Sequence, residues 1–98
     1  MSIEDEVKTK DAKAIVRFLA ASGNYGKKFT PYGIAKELAA PESKMYNQKV
    51  ERILGMLTIR FPDLFGYEAL SNYSYYWIQV EKGPFQQWFK DWFGEELQ

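Results

Sequence analysis

Residues 30–57 read TPYGIAKELAAPESKMYNQKVERILGML, and this stretch decides the architecture. Thr30 offers a side-chain oxygen at a helix N-cap, and Pro31 takes the first helical position, where a missing N–H costs nothing. Ile34, Ala35 and Leu38 then share the inward face of a short helix running to about Ala39, with Lys36 and Glu37 outward. Pro41 ends it. Glu42 or Ser43 opens a further helix that reaches Thr58 or Arg60, carries Tyr46, Val50, Ile53, Leu54 and Leu57 on one face, and is stopped by Pro62.

Upstream, the spacing predicts a helix from about Glu4 or Thr9 to Ser22, with Ile15, Phe18, Leu19 and Ser22 as its buried stripe. Gly23 is its C-cap candidate, Ser22–Gly26 is loop chemistry, and Ser2 with Asp5 makes an approximate capping pair. Residues 1–8 read as a frayed lead-in. Downstream of Pro62 the period changes. Phe65–Ala69 and Tyr75–Val80 are rich in aromatic and β-branched residues and read as strands, with Leu70–Ser74 as the hairpin loop. Either Tyr75 and Trp77 or Tyr76 and Ile78 face the core. Gly83-Pro84 restarts a helix over 84–94, on which Phe85, Trp88, Phe89, Trp92 and Phe93 recur at helical spacing. The expected fold class is therefore α+β in a single domain over 1–98: three helices, a β-hairpin, and a C-terminal amphipathic helix.

The chain has 98 residues, a length that suits one domain, and thirteen basic against thirteen acidic side chains. It contains no cysteine and no histidine, which excludes disulfides, zinc sites built on Cys or His, and Ser–His or Cys–His catalysis. No spacing singles out a pair of catalytic carboxylates; catalytic, metal and cofactor sites are not expected. No apolar run approaches the roughly 20 residues of a membrane span and the start, MSIEDEV, is acidic, so a soluble cytoplasmic protein without a membrane partner is expected.

Helix, helix, helix, hairpin, helix, with TPYGIAKELAA followed by a turn and SKMYNQKVERILGML, resembles the winged-helix (winged helix-turn-helix) family of DNA-binding domains over roughly residues 10 to 81. The turn from Ala39 to Ser43 departs from the family in carrying a proline, and the third helix is long. The resemblance implies that Phe29 supplies a short first strand, that the hairpin is the wing, and that the third helix enters the major groove of duplex DNA. On a helical wheel centred on Val50, the opposite face holds Lys44, Gln48, Arg52 and Gly55, with Met45 and Glu51 alongside. Lys44, Gln48 and Arg52 are the base-contact candidates, since Gln and Arg suit adenine and guanine edges. The same three residues also suit a plain solvated helix face.

Charge is unevenly placed. Residues 7–60 hold eleven basic and four acidic residues, net +7, whereas residues 1–6 carry −3 and residues 61–98 carry −4. Lys27, Lys28 and Lys36 are the phosphate candidates in the basic segment. At the hairpin tip, Asn72 and Tyr73 offer an amide and a hydroxyl to phosphates, or form an ordinary solvated turn. In the C-terminal stripe, Phe85 and Phe89 are assigned to the domain, and Trp88, Trp92 and Phe93 to a partner. The family resemblance implies a homodimer there. Two functional readings follow: a small dimeric transcriptional regulator bound to double-stranded DNA, or a winged helix used as a protein–protein interaction module without DNA binding.

Overall fold

Thr9 caps the first helix, its hydroxyl oxygen accepting from the Ala12 N–H at 3.1 Å. In the computed structural model, which describes residues 7–38 and 47–97, this helix is α1, Lys10–Ala20. Ala12, Ile15, Val16, Leu19 and Ala20 are buried along it. Asp11 in its first turn and Arg17 in its last both complement the helix dipole. The helix ends two residues earlier than its spacing predicts. Ala21 is the C-cap and the Asn24 side-chain amide donates to the Phe18 carbonyl at 2.9 Å, so Ser22 is exposed and Gly23 caps nothing. The glycine that the loop needs is Gly26, whose φ of 79° is left-handed.

α2 spans Pro31–Leu38, with the Thr30 hydroxyl accepting from the Gly33 N–H at 3.0 Å, as the Thr-Pro start predicts. α3 spans Asn47–Arg60 and buries Val50, Ile53, Leu54 and Leu57. The capping pair Ser2–Asp5, the turn from Ala39 to Ser43, and Lys44, Met45 and Tyr46 lie outside the described residues. After α3, the Phe65 N–H closes a turn on the Phe61 carbonyl at 3.2 Å and the chain enters β1, Phe65–Ala69. β1 pairs antiparallel with β2, Ser74–Ile78, in the register Phe65↔Ile78 through Ala69↔Ser74. The strand therefore starts one residue earlier and stops two earlier than its composition predicts. Tyr76 and Ile78 face the core; Tyr75 and Trp77 face outward and are half-buried. Phe29 adds a one-residue bridge to the far edge of β2, exchanging bonds of 2.9 and 2.8 Å with Tyr76.

α4 spans Lys82–Phe93, so Pro84 sits third in the helix, where its nitrogen would have no intrahelical acceptor. Gly94, at φ 72°, ends α4 as a left-handed C-cap and donates to the Lys90 carbonyl at 2.8 Å. Phe85 and Phe89 are fully buried in the core, Phe85 meeting Phe65 at the base of the hairpin and Phe89 lying beneath Arg17 of α1. The described residues thus form an α+β domain of four helices and a two-stranded antiparallel sheet, compatible with a winged-helix-like layout. No helix among them is long and apolar enough to cross a membrane.

Candidate functional site

Burial of Val50, Ile53, Leu54 and Leu57 fixes the rotation of α3 and leaves Gln48, Glu51 and Arg52 in solvent. These occupy the face expected from the wheel; Lys44 lies outside the described residues. Further along, the same face becomes apolar. A Cβ at Gly55 would meet open space, and Ile59, one turn on, is 70% exposed. Lys49, at the margin of the face, is half-buried and ion-paired with Asp11 of α1.

The hairpin stands beside this helix. Phe65, Tyr67, Tyr76 and Ile78 share the inner face of the sheet; towards the tip the core runs out, and Tyr67 is 52% exposed while Tyr76 is buried. Their rings lie 5.1 Å apart. Burial, then the neighbouring Tyr67 and Glu51, push the Tyr76 phenol up to about 12. At the tip, Asn72 and Tyr73 are exposed as expected. Tyr73 packs edge-on against Tyr75 at 5.4 Å, and the neighbouring Tyr73 hydroxyl raises the Tyr75 pKa.

The outer face carries a feature that sequence reading missed. Gly66 lies directly across from Trp77, and a Cβ at Gly66 would stand inside the indole. The ring covers the glycine and fills the gap that its missing side chain leaves. Lys28 lies over that indole at 4.8 Å and pairs with Glu68 at 3.1 Å. Of the three phosphate candidates in the basic segment, Lys27 and Lys36 are exposed, whereas Lys28 already has two protein neighbours.

Part of the net +7 of residues 7–60 is neutralised within the fold. After Gly94 the chain folds back on α1, where the Glu95 carboxylate pairs with Lys13 and, at 3.1 Å, with Arg17. Arg17 also donates to the Leu97 carbonyl and, at 3.1 Å, to the Glu96 carbonyl, while its guanidinium lies 4.8 Å over the Phe89 ring. The acidic C-terminal segment thus neutralises part of the basic one. Hydrogen bonding from Lys13 holds the Glu95 carboxyl below its ordinary range. A depressed carboxyl contributes stability above the unfolded-state pKa and loses it as pH falls through the folded-state value. Glu95→Gln is accordingly expected to flatten the acid limb of a plot of urea midpoint against pH, with little effect at neutral pH in high salt; an unchanged acid limb would refute this role.

Trp88, Trp92 and Phe93, assigned to a partner by their spacing, are half-buried against the domain's own aromatic cluster. Phe61 takes Trp88 and Trp92 edge-on at 4.9 and 4.8 Å, and Phe93 lies 5.9 Å from Trp88. Cations cover the outer rim: Lys8 lies 4.5 Å and Arg60 5.5 Å from the Trp92 ring, and Lys13 lies 5.9 Å from that of Phe93. The Trp92 indole donates to the Val7 carbonyl at 2.9 Å. Trp88 Nε1 is buried without a hydrogen-bond partner, a cost of about 1–3 kcal/mol set against the packing of five neighbouring rings. A stripe wider than the usual buried face is used here because α3, the hairpin and α1 enclose it from three sides. No protein-family model matches the chain, no curated protein matches it in sequence, and no solved structure matches its fold.

Proposed function

We propose that this chain is a winged-helix protein that binds duplex DNA, as a small transcriptional regulator, with α3 in the major groove and the hairpin as its wing. The observation that carries the reading is the seating of α3: four apolar residues hold it, and Gln48 and Arg52 project together from the opposite face beside a protruding hairpin. Arg52 suits a guanine edge and Gln48 an adenine edge. Lys27 and Lys36 supply phosphate contacts, and Asn72 and Tyr73 add uncharged ones from the tip. Lys13, Arg17 and Lys28 are engaged within the protein, so the charged contacts assigned to DNA are those of Lys27, Lys36 and Arg52, and the expected logarithmic salt slope is about −3.

A titration of duplex DNA at several salt concentrations tests this reading. Arg52→Ala is expected to cost about 1–3 kcal/mol on the preferred sequence and to relax base preference, while Lys36→Ala weakens all duplexes about equally. Absence of binding, or binding indifferent to salt, refutes it. The protein-interaction reading is favoured by one observation, that Tyr32, Ile59, Tyr67, Leu70 and Tyr73 are all well exposed. Recovery of one stoichiometric protein partner together with no retention on DNA establishes that reading instead.

A further inference from the structure

Among the described residues the outer edge of β2 is bridged at one residue, Tyr76, and no strand lies on the outer edge of β1. The Leu70 N–H donates to the Tyr73 carbonyl at 2.8 Å and the Gln79 N–H to the Leu64 carbonyl at 2.9 Å, which sets the phase of the ladder. Alternate residues Gly66 and Glu68 therefore bond to β2, and Phe65, Tyr67 and Ala69 turn their backbone groups to the opposite edge. On β2 the outward residues are Ser74, Tyr76 and Ile78, of which the central Tyr76 is satisfied in both directions by Phe29. On β1 the Phe65 N–H is taken by Phe61, while the backbone groups of Tyr67 and Ala69 have no partner among the described residues. Three of the usual protections of an edge are missing from this strand. It reads FGYEA, without lysine or proline, and pairs residue for residue with β2, without a bulge.

We infer that the free edge of β1 pairs antiparallel with β1 of a second copy, about a two-fold axis at Tyr67, joining the two hairpins into one continuous sheet. The strand is complementary to itself in this register. Tyr67 exchanges both backbone bonds with its own copy, and each Ala69 N–H reaches the Phe65 carbonyl of the other chain, which avoids the Phe65 N–H that is already occupied. All five residues of the strand overlap. Moving the axis by one residue would set Glu68 against Glu68, a like-charge pair. Centred on Tyr67, Glu68 instead opposes Gly66 of the other copy, on the side where Trp77 and Lys28 lie. Tyr67, 52% exposed in one chain, gains an aromatic neighbour across the axis. Two short strands bury less than the ~1,200 Å² of stable complexes, so the dimer depends on concentration. This inference does not rest on DNA binding and can fail or hold separately from it.

Sedimentation equilibrium of the full chain, up to roughly 1 mM, tests the pairing. The expected result is a monomer–dimer equilibrium that Ala69→Pro weakens at least tenfold. That proline removes an outward N–H and takes no bond from the β1–β2 ladder, so the hairpin is retained. Tyr67→Lys, an edge-protecting change that leaves the backbone intact, is expected to act in the same direction. The natural chain has no cysteine, so Tyr67→Cys gives one reporter thiol per chain, expected to form an intermolecular disulfide on mild oxidation where Gln86→Cys on α4 does not. A chain that stays monomeric throughout overturns the inference, as does a dimer indifferent to both edge variants or cross-linked equally well from residue 86. Tightening by Glu68→Gln would overturn the register.

Discussion

Phe85→Ala is expected to lower the unfolding free energy by about 3–5 kcal/mol, as read from urea midpoints at constant slope. Phe85 is fully buried and enters the core one turn into α4. Its ring meets Trp88 at 5.2 Å, Phe65 at 5.8 Å and Tyr25 at 5.9 Å, and thereby touches α4, the base of the hairpin and the loop after α1. Truncation loses the transfer free energy of the ring and leaves a cavity whose walls are themselves rigid rings, so relaxation into it is limited. A chain of this size has about 5–15 kcal/mol in hand, and the variant should melt about 15–30 °C lower. Phe93→Ala, at a half-buried position on the rim, serves as the comparison and should cost about half as much. Equal losses at both positions would show that α4 is not held through Phe85.

Gly66→Ala is expected to destabilise the hairpin by about 1–3 kcal/mol, an unusual penalty for a methyl group in a strand. Elsewhere in a sheet the same change is favourable by about 0.5–1 kcal/mol, because glycine loses more backbone freedom on folding. Here the new Cβ collides with the Trp77 indole, which must swing away and uncover the strand and the Lys28 stem above it. The sign should therefore depend on the tryptophan. In a Trp77→Ala background, Gly66→Ala should become neutral or stabilising, a coupling that a double-mutant cycle reads directly. Shifted Trp77 indole resonances in the single variant would place the disturbance at the ring. A penalty that persists without Trp77 would assign it to the backbone instead.

Both expectations turn on contacts between residues distant in the chain, and these separate what could be read in the sequence from what could not. Thr30-Pro31 announces the start of α2 because a cap and an N1 proline act within one turn, and Pro62 marks the end of α3 for the same local reason. The two-residue period after Pro62 signals the hairpin, whereas the edge bond of Phe29 was implied only by the family resemblance and not by any local pattern. Boundaries fare less well. Ser22 looks like the next member of the α1 stripe, but Asn24 bonds back to the Phe18 carbonyl and the helix has already stopped. Among the candidate site residues, the outward face of α3 follows from apolar spacing alone, which is why Gln48 and Arg52 stand where the wheel puts them.

What the amino-acid order by itself determined is thus the set of elements, their order, and the buried side of the first three helices, because capping, turn chemistry and periodicity act over a few residues; which face of β2 lies inward came from the fold. Only the tertiary structure decided how those elements spend their remaining side chains. Arg17 and Glu95 are 78 residues apart and meet because Gly94 turns the chain back onto α1. Lys28 reaches Glu68 across 40 residues, and the register of one hairpin sets Gly66 beneath Trp77. A periodic pattern records which face of a helix is apolar but not how many neighbours enclose it. For that reason the broad stripe on α4 reads as surplus in the sequence and is largely enclosed in the fold, while the edge of β1, which no composition reveals, is left unpaired among the described residues.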